Sequence, residues 1–440
     1  MPHTKLNYSR LTEKQLYINS GILRDVVDHS VPFLNKVIVQ EVNMGEKIAL
    51  GTHVCVDWEC AWDGDVLCTL AQNYEITKEE LGQFDKIQSE RELLIAILDF
   101  MQHGSGGELL PEDPAIVEYF ARKFPYRTTL GGTAARAGIV LSKLGYSSVL
   151  QMCADNSTIR ELLPELVHGV CAHDNSSDRI YPHVSITYPK NAHISINDIE
   201  FVTSRENRVL ISRDIDSTNM MVDENFGQYL SDAKVFLLGC FCEVVDRAVL
   251  EDCVSKSKKF LADMPENSIV LFEDGCYHNH EMRAYVHAQL REHIEVLSMN
   301  EDELQQYVGH RINLQNPGQV LLTIQQVYDA IQVPTLFVHS SLWALSYGEN
   351  PFRYKTALES GIAMASTRFW FGDEFGWEEY NRAKALEPQE AGARFAEQIQ
   401  KLSEKVCCVP CKDLGFVTSP TVVGLGDSFA GGLLMELSEL

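Results

Sequence analysis

The chain has 440 residues, 45% of them hydrophobic and 22% charged, and a formal net charge of −25 at pH 7. This is the composition of a soluble globular protein large enough for two domains, or for one domain with a large insertion. The acidic balance argues against nucleic acid as a partner, because a phosphate backbone needs clustered Lys and Arg, and no apolar run is long enough to span a bilayer.

The opening segment Met1–Tyr8 lacks the apolar core of a signal peptide, so a cytoplasmic protein is expected. The run Ile48–Val56 reads as an apolar strand ending at Asp57, a carboxylate placed to bind a polyol or to cap the next turn. Residues 58 to 125 are acidic and helical, with Gly104-Ser105-Gly106-Gly107 as a joint. Residues 178 to 214 alternate as antiparallel strands do, as in His183–Tyr188. The two segments are expected to form one discontinuous lid, closing over a main domain made of residues 1–57, 126–177 and 215–440 and keeping water out of a cleft.

Leu130–Gly138 sets paired glycines before a helix of small residues running to Leu144, which serves either close approach to a ligand or tight helix packing. Beyond it, the apolar runs 234–238, 268–272 and 335–339 each precede a helix-like segment. Fully apolar short strands between helices predict an α/β protein with a mostly parallel sheet and its chemistry at the carboxyl ends of the strands. Glu273 ends one such strand. Asn300-Glu301-Asp302-Glu303 follows another and reads locally as an N-cap with an acidic first turn. The twelve cysteines are scattered in apolar settings and read as reduced core thiols. The Cys408…Cys411 pair and Cys276 with His280 lack the second half of a zinc site, so zinc is not expected.

The segment Val422–Gly432 runs from β-branched residues through Gly424-Leu425-Gly426-Asp427 into a helix rich in small residues. Glycines beside the free N–H groups of a helix start make an anion cradle. Asp427 lies where that charge would gather, suited to take a proton from an attacking hydroxyl, or simply to sit in an acidic first turn. Glu273, Glu303 and Asp427 then form three carboxylates at strand ends, an arrangement able to hold a hydrated Mg²⁺.

From about Gly51 to the C-terminus the chain resembles the ADP-dependent glucokinase and phosphofructokinase family of the ribokinase-like superfamily. Gly424–Asp427 is similar to the family's GxGD, Asn300–Glu303 to its NxxE, and Gly131-Gly132 to its substrate-side glycine pair. Val338–Leu345, followed by Ala365–Phe369 and Gly372-Asp373, is similar to the nucleotide-side segment of the ADP-dependent branch. The resemblance implies a ribokinase-like three-layer sandwich with a smaller α+β lid, acting as a hexose kinase that uses ADP and Mg²⁺. It implies that Asp427 is the base, that Gly424 and Gly426 frame the anion hole, and that Glu273 and Glu303 hold the metal with Asp427. Asn300, His339, Ser340 and Phe416, with Gly426, would face the nucleotide; Asp57, Glu108, Gly132, Thr133 and His183 would face the sugar. Glu108 suits an unphosphorylated hydroxyl and would repel a sugar phosphate, which favours glucose.

The chain departs from the family at Leu271, where the HxE histidine is usual, at Cys55, where Asn is common, and at Thr133, where Gln or Asn is usual. An ATP-dependent sugar or nucleoside kinase and a catalytically impaired sugar or nucleotide sensor therefore stay open. The expected state is a monomer or a small homo-oligomer.

Overall fold

A computed structural model describes residues 47–83, 86–172, 178–277 and 279–440; the Met1–Tyr8 reading falls outside them. In chain order the strands are β1 (Ile48–Gly51), β2 (Cys55–Cys60), β3 (Gly107–Leu109), β4 (Tyr126–Gly131), β5 (Ser148–Met152), β6 (Val167–Cys171), β7 (His183–Tyr188) and β8 (His193–Ile196). They continue as β9 (Ile199–Val202), β10 (Asn207–Ile211), β11 (Val235–Gly239), β12 (Ile269–Glu273), β13 (Val296–Asn300), β14 (Thr335–His339), β15 (Trp343–Gly348) and β16 (Val406–Pro410).

Nine of them form one sheet in the order β16-β15-β14-β13-β12-β11-β1-β5-β6. From β14 to β6 all neighbours run parallel, and only β15 is antiparallel to its two partners. Every residue of β5 and β11 is buried, as the fully apolar runs require of strands covered on both faces. The helices between them start where side chains can take up free backbone N–H groups. Asp246 accepts from Ala248 and Val249, and Asn316 caps a helix that opens with Pro317.

A second sheet has the order β3-β10-β7-β2-β4, with β7 and β10 antiparallel as their alternation predicts. Its strands overrun the expected lid boundaries: β2 begins at Cys55 and β4 continues to Gly131. Asp57 is accordingly not at the tip of a main-sheet strand. The run Ile48–Val56 is two strands in two sheets, β1 and β2, linked by the buried Thr52 and His53, and it reads as one because both strands are buried. The Gly104–Gly107 joint also resolves into ordinary structure. Gly104 closes the helix Glu90–His103 in the left-handed region at φ 60°, and Gly107 opens β3.

The helices Lys355–Phe371 and Leu425–Leu437 cross at bare backbone. A Cβ on Gly432 would lie 2.4 Å from the Ser360 carbonyl oxygen and 2.8 Å from Gly361 Cα. Small residues that suggest a ligand loop therefore serve helix packing from Gly431 onward. Gly432→Ala is predicted to cost about 1–3 kcal/mol by overpacking. An unchanged midpoint in urea unfolding would show that the two helices do not pack this closely.

Candidate active site

A cavity of about 340 Å³ opens between the second sheet and the carboxyl ends of the main-sheet strands. Asp57, Glu108, Gly132, Thr133, His183, Glu303, Gly424 and Asp427 all line it, although they come from segments up to 370 residues apart (427 − 57). Strand register explains part of this: Asp57 pairs with His183 across β2 and β7, and Glu108 pairs with Leu210 across β3 and β10. Gly132 joins β4 to the helix Thr133–Lys143 at φ +87°, and a Cβ there would press within 2.8 Å of the His53 carbonyl oxygen. Gly424 caps the helix Leu425–Leu437 at φ +73°. Both turns need the left-handed freedom that glycine supplies.

One cation organises the acidic wall. Arg136, in the first turn of the helix after Gly132, is buried; its Nη2 donates to Asp57 Oδ2 at 2.7 Å and to Glu59 Oε1 at 3.3 Å, and its Nε lies 3.7 Å from Asp427 Oδ2. Burial disfavours this cation, but Asp57 and Asp427 outweigh burial and raise its pKa. A second buried arginine, Arg368, donates from Nε to the Val423 carbonyl at 2.7 Å and pairs with Asp373. A Cβ on Gly424 would meet both guanidinium groups, at 2.9 Å and 3.2 Å, so two positive charges flank the turn that opens the helix. The free N–H groups of that helix start point the same way electrostatically, toward a bound anion.

On the opposite wall lies a polar relay. His53 Nε2 is 2.7 Å from Ser217 Oγ, which donates to Asp214 Oδ2 at 2.5 Å, and His183 Nε2 is 3.3 Å from the same carboxylate oxygen. Burial and then the charge of His183 pull His53 down to about 4, leaving it neutral. Burial also opposes charge on His183, but its contact with Asp214 prevails and lifts it to about 10. Burial pushes Glu243, a further wall residue, up to about 7.

Glu273, Asn300, Ser340 and Gly426 gather about His339, whereas Phe416 packs on Trp370 instead. Glu273 ends β12, and its Oε1 is 3.5 Å from Nε2 of His339, which ends β14; a Cβ on Gly426 would lie 3.8 Å from the His339 ring. Asn300 sits beside His339 in the β13–β14 register. The Asn300 side chain caps its own helix, and Glu303 Oε2 accepts from the Asn300 backbone N–H at 2.8 Å. The Ser340 hydroxyl accepts from the backbone N–H groups of Leu342 and Trp343, anchoring the β14–β15 turn. Phe416 is 51% exposed and stands edge-on to Trp370 at 4.9 Å. Glu273, Asn300, Gly426, His339, Ser340 and Phe416 do not line the cavity that holds Asp427. Glu273 and Glu303 offer oxygen atoms of the kind a hard cation takes: Glu273 Oε2 is buried without a hydrogen-bond partner, and burial followed by the charges of Glu273 and Asp274 raises the pKa of Glu303; among the described residues these two and Asp427 do not gather as one ligand cluster.

Sequence reasoning passed over Arg136, Arg368, His53, Asp214 and Glu243. Arg136 alone left a signal, since a charge among Ala134, Ala135 and Ala137 on a buried helix start must have partners. The His183–Asp214 pair gives a pH test. The raised His183 pKa contributes stability that is full below its ordinary 6.5 and is lost as pH rises toward 10. The stability difference between wild type and His183→Gln should therefore shrink across that interval, by at most about 1.4 kcal/mol per pH unit. A difference independent of pH in chemical denaturation would contradict the charged pair.

The fold is shared with solved structures at low sequence identity. A phosphofructokinase from Pyrococcus horikoshii OT3, solved with AMP, superposes with a TM-score of 0.70 at 14% identity, covering 90% of this chain and 98% of that one. An ADP-dependent kinase in complex with fructose-6-phosphate and ADPβS gives 0.69 at 12% identity, covering 92% and 96%. The last common ancestor of ADP-dependent phosphofructokinases from Methanosarcinales gives 0.65 at 14% identity, covering 91% and 95%. These likenesses bear out the expected three-layer α/β fold. No curated protein sequence matches the chain. The model of the ADP-specific phosphofructokinase/glucokinase conserved region matches residues 46–340, two thirds of the sequence, and the chain belongs to that family of sugar phosphotransferases.

Proposed function

We propose that the protein transfers the β-phosphoryl group of Mg·ADP to a hydroxyl of an unphosphorylated hexose, glucose fitting best, and releases AMP. The observation that carries this reading is the convergence of Asp57, Glu108, His183, Gly424 and Asp427 on one cavity. The acceptor would lie against Asp57, Glu108 and His183, with Gly132 and Thr133 below it. Asp427 would take the proton as the hydroxyl attacks, and the helix start at Gly424–Gly426, flanked by Arg136 and Arg368, would stabilise charge on the transferred group.

Mg²⁺, when bound, supplies charge neutralisation on the phosphate chain; Glu273 and Glu303 would hold it through water, with Asp427 nearby. Asn300, His339 and Ser340 would border the nucleotide beyond Gly426, with Phe416 at its outer edge. The two sheets would work as a sugar-binding lid over a nucleotide domain, and a dry cavity would strengthen every one of these electrostatic contacts.

Charge supports the acceptor choice. Asp57, Glu108, Asp214 and Glu243 crowd the sugar wall, and a phosphate on the acceptor would face them. A second reading, with fructose 6-phosphate as acceptor, has one observation in its favour: Arg208 and Arg213 also line the cavity, and Arg213 Nε is buried without a hydrogen-bond partner. Leu271, Cys55 and Thr133 keep the binding-only sensor as a formal alternative, and a donor assay separates the ATP-dependent one.

Asp427→Ala is expected to lower kcat by about a thousandfold while leaving nucleotide affinity within a small factor. Unchanged turnover would remove Asp427 from the mechanism. Glu108→Ala is expected to raise KM for glucose about tenfold or more, with KM for ADP unmoved. A variant that gains fructose 6-phosphate turnover without losing glucose would favour the second reading.

A further inference from the structure

Cys55 stands where the family commonly carries an amide, and its surroundings give it a second use. One ligand atom from each of His53, Cys55 and His183 lies within 4.8 Å of the others, and all three residues line the cavity. The relay around Asp214 prepares the first of them. Ser217 Oγ gives its proton to Asp214, so it accepts from His53 Nε2–H, and the neutral imidazole keeps its lone pair on Nδ1. Nδ1 is on the side of Gly132, another cavity residue. A hydrogen bond from the other ring N–H that fixes the tautomer is the support that metal-ligating imidazoles typically have, and here Ser217 provides it.

We propose that His53, Cys55 and His183 form a site for a thiophilic divalent cation, Zn²⁺ in particular, with water as fourth ligand. Cys55 Sγ donates to Asp57 Oδ1 at 3.3 Å, and the metal would take the place of that thiol proton. Bond lengths of about 2.0–2.1 Å to nitrogen and about 2.3 Å to sulfur place tetrahedral ligand atoms roughly 3.3–3.7 Å apart, so side-chain rotation of about 1 Å closes the cluster. Binding takes Cys55 as thiolate and both imidazoles as neutral ligands, so displaced protons pass to solvent, metal–sulfur and metal–nitrogen bonds form, and no electrons are transferred.

The consequence for catalysis rests on the sugar-site reading given above. His183 cannot serve the cation and the hexose together, so bound Zn²⁺ excludes the acceptor.

The test uses the full-length, metal-stripped protein with Co²⁺ as probe. One equivalent should produce a thiolate-to-cobalt charge-transfer band, which one equivalent of Zn²⁺ displaces. The band should vanish in Cys55→Ser and in His183→Gln, and persist in Cys276→Ser, which alters the exposed cysteine. A band that survives Cys55→Ser, or no band in the wild type, overturns the site. X-ray absorption at the zinc edge of the wild type needs no variant: one sulfur among nitrogen and oxygen neighbours supports the site, and several sulfurs refute it. In kinetics, free Zn²⁺ at its dissociation constant should double KM for the hexose with kcat and KM for ADP unchanged. Inhibition competitive with ADP, or none, overturns the overlap with the sugar. Absence of kinase activity beside an intact cobalt band would instead defeat the functional reading and leave the metal site standing.

Discussion

The structure depends on one buried guanidinium. Arg136 is the only positive charge in contact with Asp57, Glu59 and Asp427 together among the described residues, and these carboxylates belong to a strand of the second sheet and to the last helix. Without it they would repel one another across a poorly hydrated cavity, where charge interactions are several times stronger than in water. With it, the proposed acceptor ligand and the proposed base are held by the same group. Such pairs give modest net stability, because desolvation offsets attraction, yet removing one partner is expensive. The arginine therefore fixes geometry more than it strengthens the fold.

The same reasoning separates the two halves of the site. The Arg136 side has cations to share: Asp57 and Asp427 contact Arg136, Glu59 contacts both Arg136 and Arg127, and Asp214 contacts His183. The Glu273–Glu303 side differs. His339 lies near one oxygen of Glu273, the other is unpartnered, and burial, followed by the charges of Glu273 and Asp274, disfavours charge on Glu303. Uncompensated buried carboxylates beside an anion cradle leave room for added positive charge, and a nucleotide carrying Mg²⁺ delivers charges of both signs.

Much of this was legible in the sequence where local physics decides. Runs of apolar residues placed β11, β12 and β14 to within one residue, and the positive φ angles of Gly132 and Gly424 answer to glycines that had to be there. The capping role of Asn300 and Glu303 followed from their spacing and is realised as read. Burial in two different sheets could not be told apart from one buried strand, so Asp57 was assigned to the wrong sheet. The relay from His53 through Ser217 to Asp214 spans 164 residues, and no spacing rule reaches that far. Arg136 was visible as a charge out of place, but its three partners emerge only when β2 and the last helix meet.

The central claim is that this chain moves the terminal phosphoryl group of ADP to an unphosphorylated hexose. The most direct measurement is the stoichiometry of AMP and glucose 6-phosphate formed from Mg·ADP and glucose, with ATP and fructose 6-phosphate run in parallel. Equimolar AMP and glucose 6-phosphate, with little product from ATP or fructose 6-phosphate, is the predicted result. Sugar phosphate formed from ATP alone, or fructose 6-phosphate preferred to glucose, would contradict it.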